Sequence, residues 1–389
     1  MTWTKESFAA LRLKTDPLAD NVIKDIISSG DTQAINKLFT QLRENDDVTE
    51  IEFPDSVKNY FEESSKLPEW VDWEKVKIGQ KVFASYGPEI SLCLLCKSLP
   101  EAYACANGAQ VLYRTGRMTE QNGSLEVFTR RLMETAQFVI NVCTPGGLEP
   151  KGKGIQTAQK VRLIHASIRY YIKQFNWPEE YGEPINQQDM AGTLQSFSTL
   201  IIQGLGQLKI ELTEEEKEGY YHCWRVVGHV IGLEPELNVD GYKNGLALGE
   251  SILADQMAPS KAGEELTQAV CAFLEEMLPG NIFKHAPEAI IRYLIGDKMA
   301  ECLSLEEESN LIDKLLPRLM GFAFDMADEL QDQRKVLDKI ISTVNMHLLQ
   351  GMLNHFNENK QVRFDIPPNL KDDWGLSYNT SMMRKPRTR

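Results

Sequence analysis

The sequence has no long apolar run, and this absence limits where the protein can reside. No segment approaches the about 20 consecutive apolar residues that a membrane-spanning helix needs. The start, MTWTKESF, also lacks the apolar region of a secretory signal peptide. We therefore expect a cytoplasmic protein without a transmembrane segment.

Basic residues are outnumbered by acidic ones, 42 against 56. The formal net charge is -14, and the only basic run is MRKPRTR at residues 383 to 389. Nucleic-acid phosphates would be repelled by so acidic a surface unless a basic patch were concentrated locally, and the sequence shows none. Nucleic acid is therefore excluded as a partner.

Cysteine is present, but not in a metal-binding arrangement. Cys93 and Cys96 form a C-x-x-C pair with no second pair to complete a zinc site. No histidine follows Cys96, which excludes covalent haem attachment of the c type. We interpret both residues as small apolar side chains that pack in the core.

Strict alternation of apolar and polar residues is absent too, and helical periodicity prevails instead. This pattern predicts an all-α protein with one helical domain over residues 1–360 and an irregular tail over 361–389. Pro17 and Pro259 are predicted to open helices, and Thr213 with Glu216 forms a capping box. A further helix is predicted from about 330 to 356.

A lone histidine interrupts an apolar stripe in VRLIHASIR, residues 161–169. At about 100° per residue, His165 shares a helical face with Val161 and Ile168, while Arg162 and Arg169 flank it. It is either a core histidine with a hydrogen bond or a metal ligand. As a ligand, one histidine among apolar and guanidinium groups suits haem better than zinc or non-haem iron.

The preceding helix, predicted at about 124–142, carries a polar cluster on its apolar face. Arg131, Glu134 and Thr135 share that face with Phe138. Arg131 and Glu134 could form an ordinary surface ion pair. If they are buried with Phe138, they form either a satisfied network or a functional site. A glycine-rich loop at residues 144–154 joins the two helices.

Several ordered blocks resemble one haem-dependent oxygenase family, that of the rubber oxygenases (latex clearing proteins) and the MpaB oxygenase. The similarity is strongest over residues 67–235. The blocks are LPEWVDWEKVKIGQKVFASYG, RRLMETAQFV, VRLIHASIR, PINQQDMAGTLQSF and YYHCWRVVGHVIGL.

The resemblance implies a globin-like helical core with additional helices at both ends and non-covalently bound haem b. It implies His165 as the iron ligand, with Arg131 and Thr135 on the other side of the ring. The chain departs from the rubber oxygenases at Glu134, where they carry a lysine that can ligate the iron. A carboxylate can instead hold a proton or pair with Arg131.

Other side chains complete the expected haem pocket. Phe138, Val161 and Ile168 are predicted to contact the ring. Arg162 and Arg169 are expected either to pair with the haem propionates or to form ion pairs with the chain's own carboxylates.

Two further histidines, His222 and His229, lie on a helix whose Gly228 suggests a close helix contact. Either could be a second ligand, but we expect packing or hydrogen-bonding roles. Asn186 is predicted to cap the helix that follows it.

The resulting hypothesis is an oxygenase that uses O2 to oxidise or cleave carbon–carbon double bonds in an apolar molecule, for example an isoprenoid. Two alternatives stay open. One is a haem-binding sensor or carrier without turnover, and the other is a haem-free helical scaffold.

Overall fold

The computed structural model describes residues 3–28, 54–116, 125–277 and 286–305. Within these ranges the chain is helical and contains no β-strand, apart from one isolated bridge between Cys105 and Met257. The all-α prediction is therefore confirmed. The predicted helix at 330–356 and the tail at 361–389 lie outside the described residues, and the single-domain boundary at 360 stays a prediction.

The helices are numbered here in chain order. They are α1 (Lys5–Leu11), α2 (Pro17–Ser28), α3 (Asp55–Ser64), α4 (Trp73–Cys93), α5 (Leu99–Ala104), α6 (Ala106–Thr115), α7 (Leu125–Cys143), α8 (Lys153–Ile172), α9 (Gln187–Phe197), α10 (Thr199–Gln207), α11 (Glu214–Val230), α12 (Tyr242–Gln256), α13 (Lys261–Met277), α14 (Ala286–Ile295) and α15 (Asp297–Cys302). A single π-helical turn, Leu94–Ser98, connects α4 to α5.

Most predicted helix starts match the structure. Helix α2 begins at Pro17, and Thr213 and Glu216 form the predicted capping box of α11. The start predicted at Pro259 was wrong by two residues, because Ser260 is the capping residue. Its Oγ accepts the backbone N–H of Gly263, so the helix begins at Lys261.

The centre of the molecule is the contact between α4 and α11. A Cβ on Gly79 would lie 2.4 Å from the carbonyl oxygen of Gly219, so only glycine allows the two backbones to approach this closely. Trp224 of α11 is fully buried in the same core. A second apolar cluster joins α2, α3 and α8 through residues such as Ile23, Tyr60 and Leu163.

Helix α4 is bent at Tyr86, on the C-terminal side of the Gly79 contact. Tyr86 departs from helical backbone angles two residues before Pro88, which cannot donate a backbone hydrogen bond. Among the described helices, none combines the length and the apolar character that crossing a bilayer requires.

Candidate functional site

Helices α7 and α8 lie side by side because the loop between them turns tightly. A Cβ on Gly147 would lie 1.9 Å from the carbonyl oxygen of Asn141, so the turn requires glycine there. After the turn, Asn141 Nδ2 donates a 3.0 Å hydrogen bond to Thr157 Oγ1 and ties the two helices together. The loop predicted at 144–154 therefore positions the two site-bearing helices against each other.

Between these helices and their neighbours lies a cavity of about 730 Å³. Its size is within the range of small-molecule and cofactor sites. It brings together seven of the residues singled out from the sequence, namely Arg131, Glu134, Thr135, Phe138, Val161, His165 and Ile168.

His165 contributes its imidazole to the cavity wall as a neutral ring. Burial, together with the positive charges of Arg169 and Arg131, lowers its pKa from 6.5 to about 3. Its Nδ1 is buried and has no hydrogen-bond partner among the described residues. A buried ring nitrogen without a partner is costly, so the site is suited to a ligand that uses the imidazole.

The donor set around His165 limits the kind of metal. No group of three or more His, Cys, Asp or Glu side chains within the described ranges could hold a metal ion. Zinc and non-haem iron sites use several protein ligands, whereas haem iron needs one axial side chain. A neutral imidazole on a mainly apolar wall fits that single-ligand requirement.

Within the polar cluster of α7, Glu134 is buried while Arg131 and Thr135 are half-buried, so the Arg131–Glu134 pair is not an ordinary surface ion pair. The side chain of Glu134 is 0% exposed, and its Oε2 lies 3.0 Å from Arg131 Nη1. Thr135 Oγ1 donates a 3.0 Å hydrogen bond to the carbonyl oxygen of Arg131. The guanidinium, carboxylate and hydroxyl are therefore held in fixed positions on the cavity wall.

Arg162 does not line this cavity. Its Nε and Nη2 donate to Asp16 Oδ2 and Oδ1 at 2.6 and 2.7 Å, and its Nη1 donates to the carbonyl oxygen of Val230 at 3.0 Å. A bidentate pair of this kind fixes the orientation of the guanidinium. Arg162 thus forms an ion pair within the chain, one of the two roles expected for it, and the propionate contact stays a prediction.

Arg169 also pairs within the chain, although less completely. Its Nε donates to Asp20 Oδ1 at 2.7 Å and its Nη1 to the carbonyl oxygen of Ile185 at 3.1 Å, while its Nη2 is buried without a partner among the described residues. Both arginines lie on the flank of α8 that faces α2, about 50° away from His165 around the helix axis. Arg169 thus forms an ion pair within the chain, and its propionate contact stays a prediction.

The two other histidines have the structural roles that were expected. His222 Nε2 accepts the backbone N–H of Asp72 at 2.9 Å, and His229 Nε2 lies 2.9 Å from the carbonyl oxygen of Lys66. Both rings contact Trp70 edge to face. Asn186 also caps α9 as predicted, since its Oδ1 accepts the backbone N–H of Asp189.

Cys93 and Cys96 are both fully buried with free thiols, as the core-packing interpretation predicted.

Two groups of cavity residues were not identified from the sequence. One consists of Phe197 and Trp224, which stack with ring centroids 4.9 Å apart and form an aromatic wall with the predicted Phe138, whose ring meets Trp224 edge to face at 5.9 Å. The other is polar and includes Asp189 and Gln256. Phe197 and Trp224 lie in blocks that resembled the oxygenase family, but nothing in the local pattern assigned them to this cavity.

Comparison with known proteins agrees with this architecture. A curated rubber oxygenase from Streptomyces sp. (strain K30) is 23% identical over 360 residues, which cover 90% of this chain and 85% of the relative. The solved structure of latex clearing protein in the closed state superimposes with a TM-score of 0.71 at 21% sequence identity. That match covers 90% of this chain and 95% of the other, and it shows a shared fold.

The sequence profile of one protein family matches residues 94–323, more than half of the 389 residues. The family is described as ER-bound oxygenase mpaB/B'/rubber oxygenase, catalytic domain. Helices α7 and α8 and the cavity-lining His165 all fall inside the matched range. The chain therefore belongs to the mpaB/B'/rubber oxygenase catalytic-domain family.

Proposed function

We propose that this chain is a haem b-dependent oxygenase that oxidises or cleaves carbon–carbon double bonds in an apolar substrate with O2. The observation that carries the proposal is His165, a neutral imidazole on the wall of a large, mainly apolar cavity that also holds Arg131 and Glu134. Membership in an oxygenase family supports the reaction class.

The residues present fit a non-covalent haem. The cavity volume of about 730 Å³ would accommodate a macrocycle, and His165 would hold its iron through an imidazole nitrogen. Val161, Ile168 and Phe138 would contact the flat ring through apolar surfaces. When bound, the haem would supply the iron that binds and activates O2.

The polar groups of α7 would act on the oxygen that is being activated. Arg131 keeps a positive charge next to the cavity, which stabilises negative charge that develops on oxygen. Thr135 uses its proton toward the backbone, so its hydroxyl oxygen can accept a hydrogen bond from a substrate or water. Glu134 can take up or release a proton at its buried carboxylate.

The substrate is proposed to be an isoprenoid-like hydrocarbon chain. The name of the Streptomyces relative, a rubber oxygenase, supports this class. In this chain the aromatic wall of Phe138, Phe197 and Trp224 offers apolar surface and excludes water from the reacting bond. We further propose a cytoplasmic location, which is supported by seven free cysteines, as expected in a reducing compartment.

A sensor or carrier of haem is the second candidate, and one observation favours it. Glu134 occupies a position where the resemblance implies a lysine, and it is locked to Arg131 in the cavity wall. If the Arg131–Glu134 pair keeps both side chains from acting on O2, the protein would bind haem without oxidising a substrate.

Two measurements test the proposal. Protein purified from haem-replete cells, or reconstituted with haem, should show a Soret band and consume oxygen when squalene or farnesyl compounds are added. Mass spectrometry should then detect carbonyl products. Absence of a Soret band after reconstitution contradicts both haem functions, whereas a Soret band without oxygen consumption favours the sensor or carrier.

A further inference from the structure

The cavity has a second polar region, away from His165. Asp189 and Gln256 line it, and they lie on the neighbouring helices α9 and α12. His165 and the polar cluster lie instead on α8 and α7. The proposed oxygen chemistry assigns Asp189 and Gln256 no role.

This region lies where the cavity meets solvent. Thr193 and Glu250 line the same cavity and are exposed. They belong to α9 and α12. These two helices pack closely at Gly249, where an added Cβ would lie 3.1 Å from Gln195 Cβ. Asp189 precedes the exposed Thr193 by one helical turn on the same face of α9, and both line the cavity.

The Asp189 carboxylate is held firmly in the wall. Its Oδ1 accepts from Arg12 Nη1 at 2.8 Å, and its Oδ2 accepts from Asn186 Nδ2 at 2.8 Å. It also abuts Gly108, another cavity residue, where an added Cβ would lie 3.2 Å from Oδ1. The remaining lone pairs of this fixed acceptor stay available, since a carboxylate can accept about four hydrogen bonds.

Arg12 holds Asp189 from the far side without entering the cavity. It also donates to Gln188 Oε1 at 3.2 Å and Gln256 Oε1 at 3.0 Å, and to the carbonyl oxygen of Tyr181 at 2.5 Å. The two terminal nitrogens of the guanidinium bond to these four acceptors, Nε is buried without a partner among the described residues, and Arg12 does not line the cavity. A ligand therefore meets the carboxylate of Asp189 and not the positive charge behind it.

We propose that Asp189 binds the hydroxyl head group of an isoprenoid alcohol, whose hydrocarbon chain extends into the apolar cavity toward His165. This inference rests on the proposed function and narrows its substrate class to discrete chains with a hydrogen-bond-donating end. An ionised carboxylate has no hydrogen to donate to Asp189, and Glu250 on the same cavity wall would repel it.

Calorimetric titration of the full-length chain with three matched ligands tests this assignment. The ligands are farnesol, its methyl ether, which accepts but does not donate a hydrogen bond, and farnesoic acid, which is anionic at neutral pH. Farnesol should bind about tenfold more tightly than the ether, the effect of one hydrogen bond to a charged acceptor. Farnesoate should bind most weakly. Equal or tighter binding of the ether or of farnesoate overturns the proposal.

Asp189→Asn should reduce the preference for farnesol over the ether to about twofold. The variant leaves Arg12 its contacts to Gln188, Gln256 and Tyr181, which favours correct folding. Asp20→Asn is the matched control, because Asp20 also pairs with an arginine and has a similar side-chain exposure, 14% against 15%. It should keep the full preference, and a preference that Asp189→Asn leaves intact refutes the assignment.

Glu250→Gln provides a second variant should Asp189→Asn fail to fold. It should reduce the difference in affinity between farnesol and farnesoate, and it should leave the difference in affinity between farnesol and the ether unchanged. An unchanged difference in affinity between farnesol and farnesoate would contradict the proposed repulsion by Glu250.

Haem absorbance and oxygen consumption of the same preparations distinguish this inference from the proposed function. If the protein prefers farnesol but binds no haem, the alcohol site is supported and the oxygenase function is contradicted. If the haem-loaded protein oxidises squalene but does not prefer farnesol over its ether, the oxygenase function is supported and the alcohol site is contradicted.

Discussion

Helix α8 has two faces that differ in how their polar groups are used. One face borders the cavity and carries His165, whose Nδ1 has no hydrogen-bond partner among the described residues. The other faces α2, where Arg162 makes three hydrogen bonds to Asp16 and Val230. Arg162 therefore stabilises the packing of α8, whereas the His165 nitrogen beside the cavity is available to a ligand.

The largest effect is expected on the cavity face. His165→Ala removes the proposed axial nitrogen, so most of the Soret absorbance should be lost while the protein stays folded. His229→Ala is the matched control, because that ring bonds to the Lys66 carbonyl and does not line the cavity. Circular dichroism and haem titration of both variants provide the measurement. Full haem content in His165→Ala would refute the ligand assignment.

Changes on the flank of α8 that faces α2 should lower the stability of the protein and leave its haem content unchanged. Asp16→Ala leaves the buried Arg162 without its bidentate partner, which should lower the free energy of unfolding by about 3–5 kcal/mol. Urea unfolding measures this change. Glu74→Ala, which breaks an exposed pair with Lys77, should have no measurable effect. Equal responses of the two variants would contradict the assignment of Arg162 to the fold.

On the α7 wall that borders the same cavity, Glu134→Gln tests whether a satisfied ion pair also takes part in chemistry. The amide keeps the shape and a hydrogen-bonding oxygen for Arg131 but cannot hold a proton in the same way. Oxygen consumption should fall about a hundredfold with an altered pH dependence and unchanged haem absorbance. A variant with the parent's rate and pH profile would make Glu134 a structural residue only.

The smallest effect is the pH dependence of the haem-free protein. Burial lowers the pKa of His165 from 6.5 to about 3 and that of His222 to about 4. Below pH 6.5 the unfolded chain therefore binds protons that the folded chain does not, so stability is full above this pH and declines as the pH falls. Urea midpoints between pH 8 and 5 should show this decline.

His165→Leu should make the decline shallower, because one of the two groups no longer takes up a proton on unfolding. An unchanged slope in this variant would mean that the imidazole is not buried in neutral form.

Much of the fold could be predicted from local sequence. Pro17 and the Thr213–Glu216 capping box identified helix starts, because capping depends on residues within one turn of the helix. The shift of the α13 start from Pro259 to Ser260 shows the limit of such signals, since two adjacent residues could both open a helix. The contact of Gly79 with Gly219 was not predicted, because it joins segments far apart in sequence.

The sequence by itself determined which residues share a face of α7 and of α8, because helical periodicity fixes the angle between side chains. It therefore brought Arg131, Glu134 and His165 into consideration. Only the tertiary structure decided what each face meets. Arg162 lies three residues from His165 but meets α2, and Asp189 reaches the cavity through α9. Burial and partner choice depend on which helices pack together, and local sequence does not encode that packing.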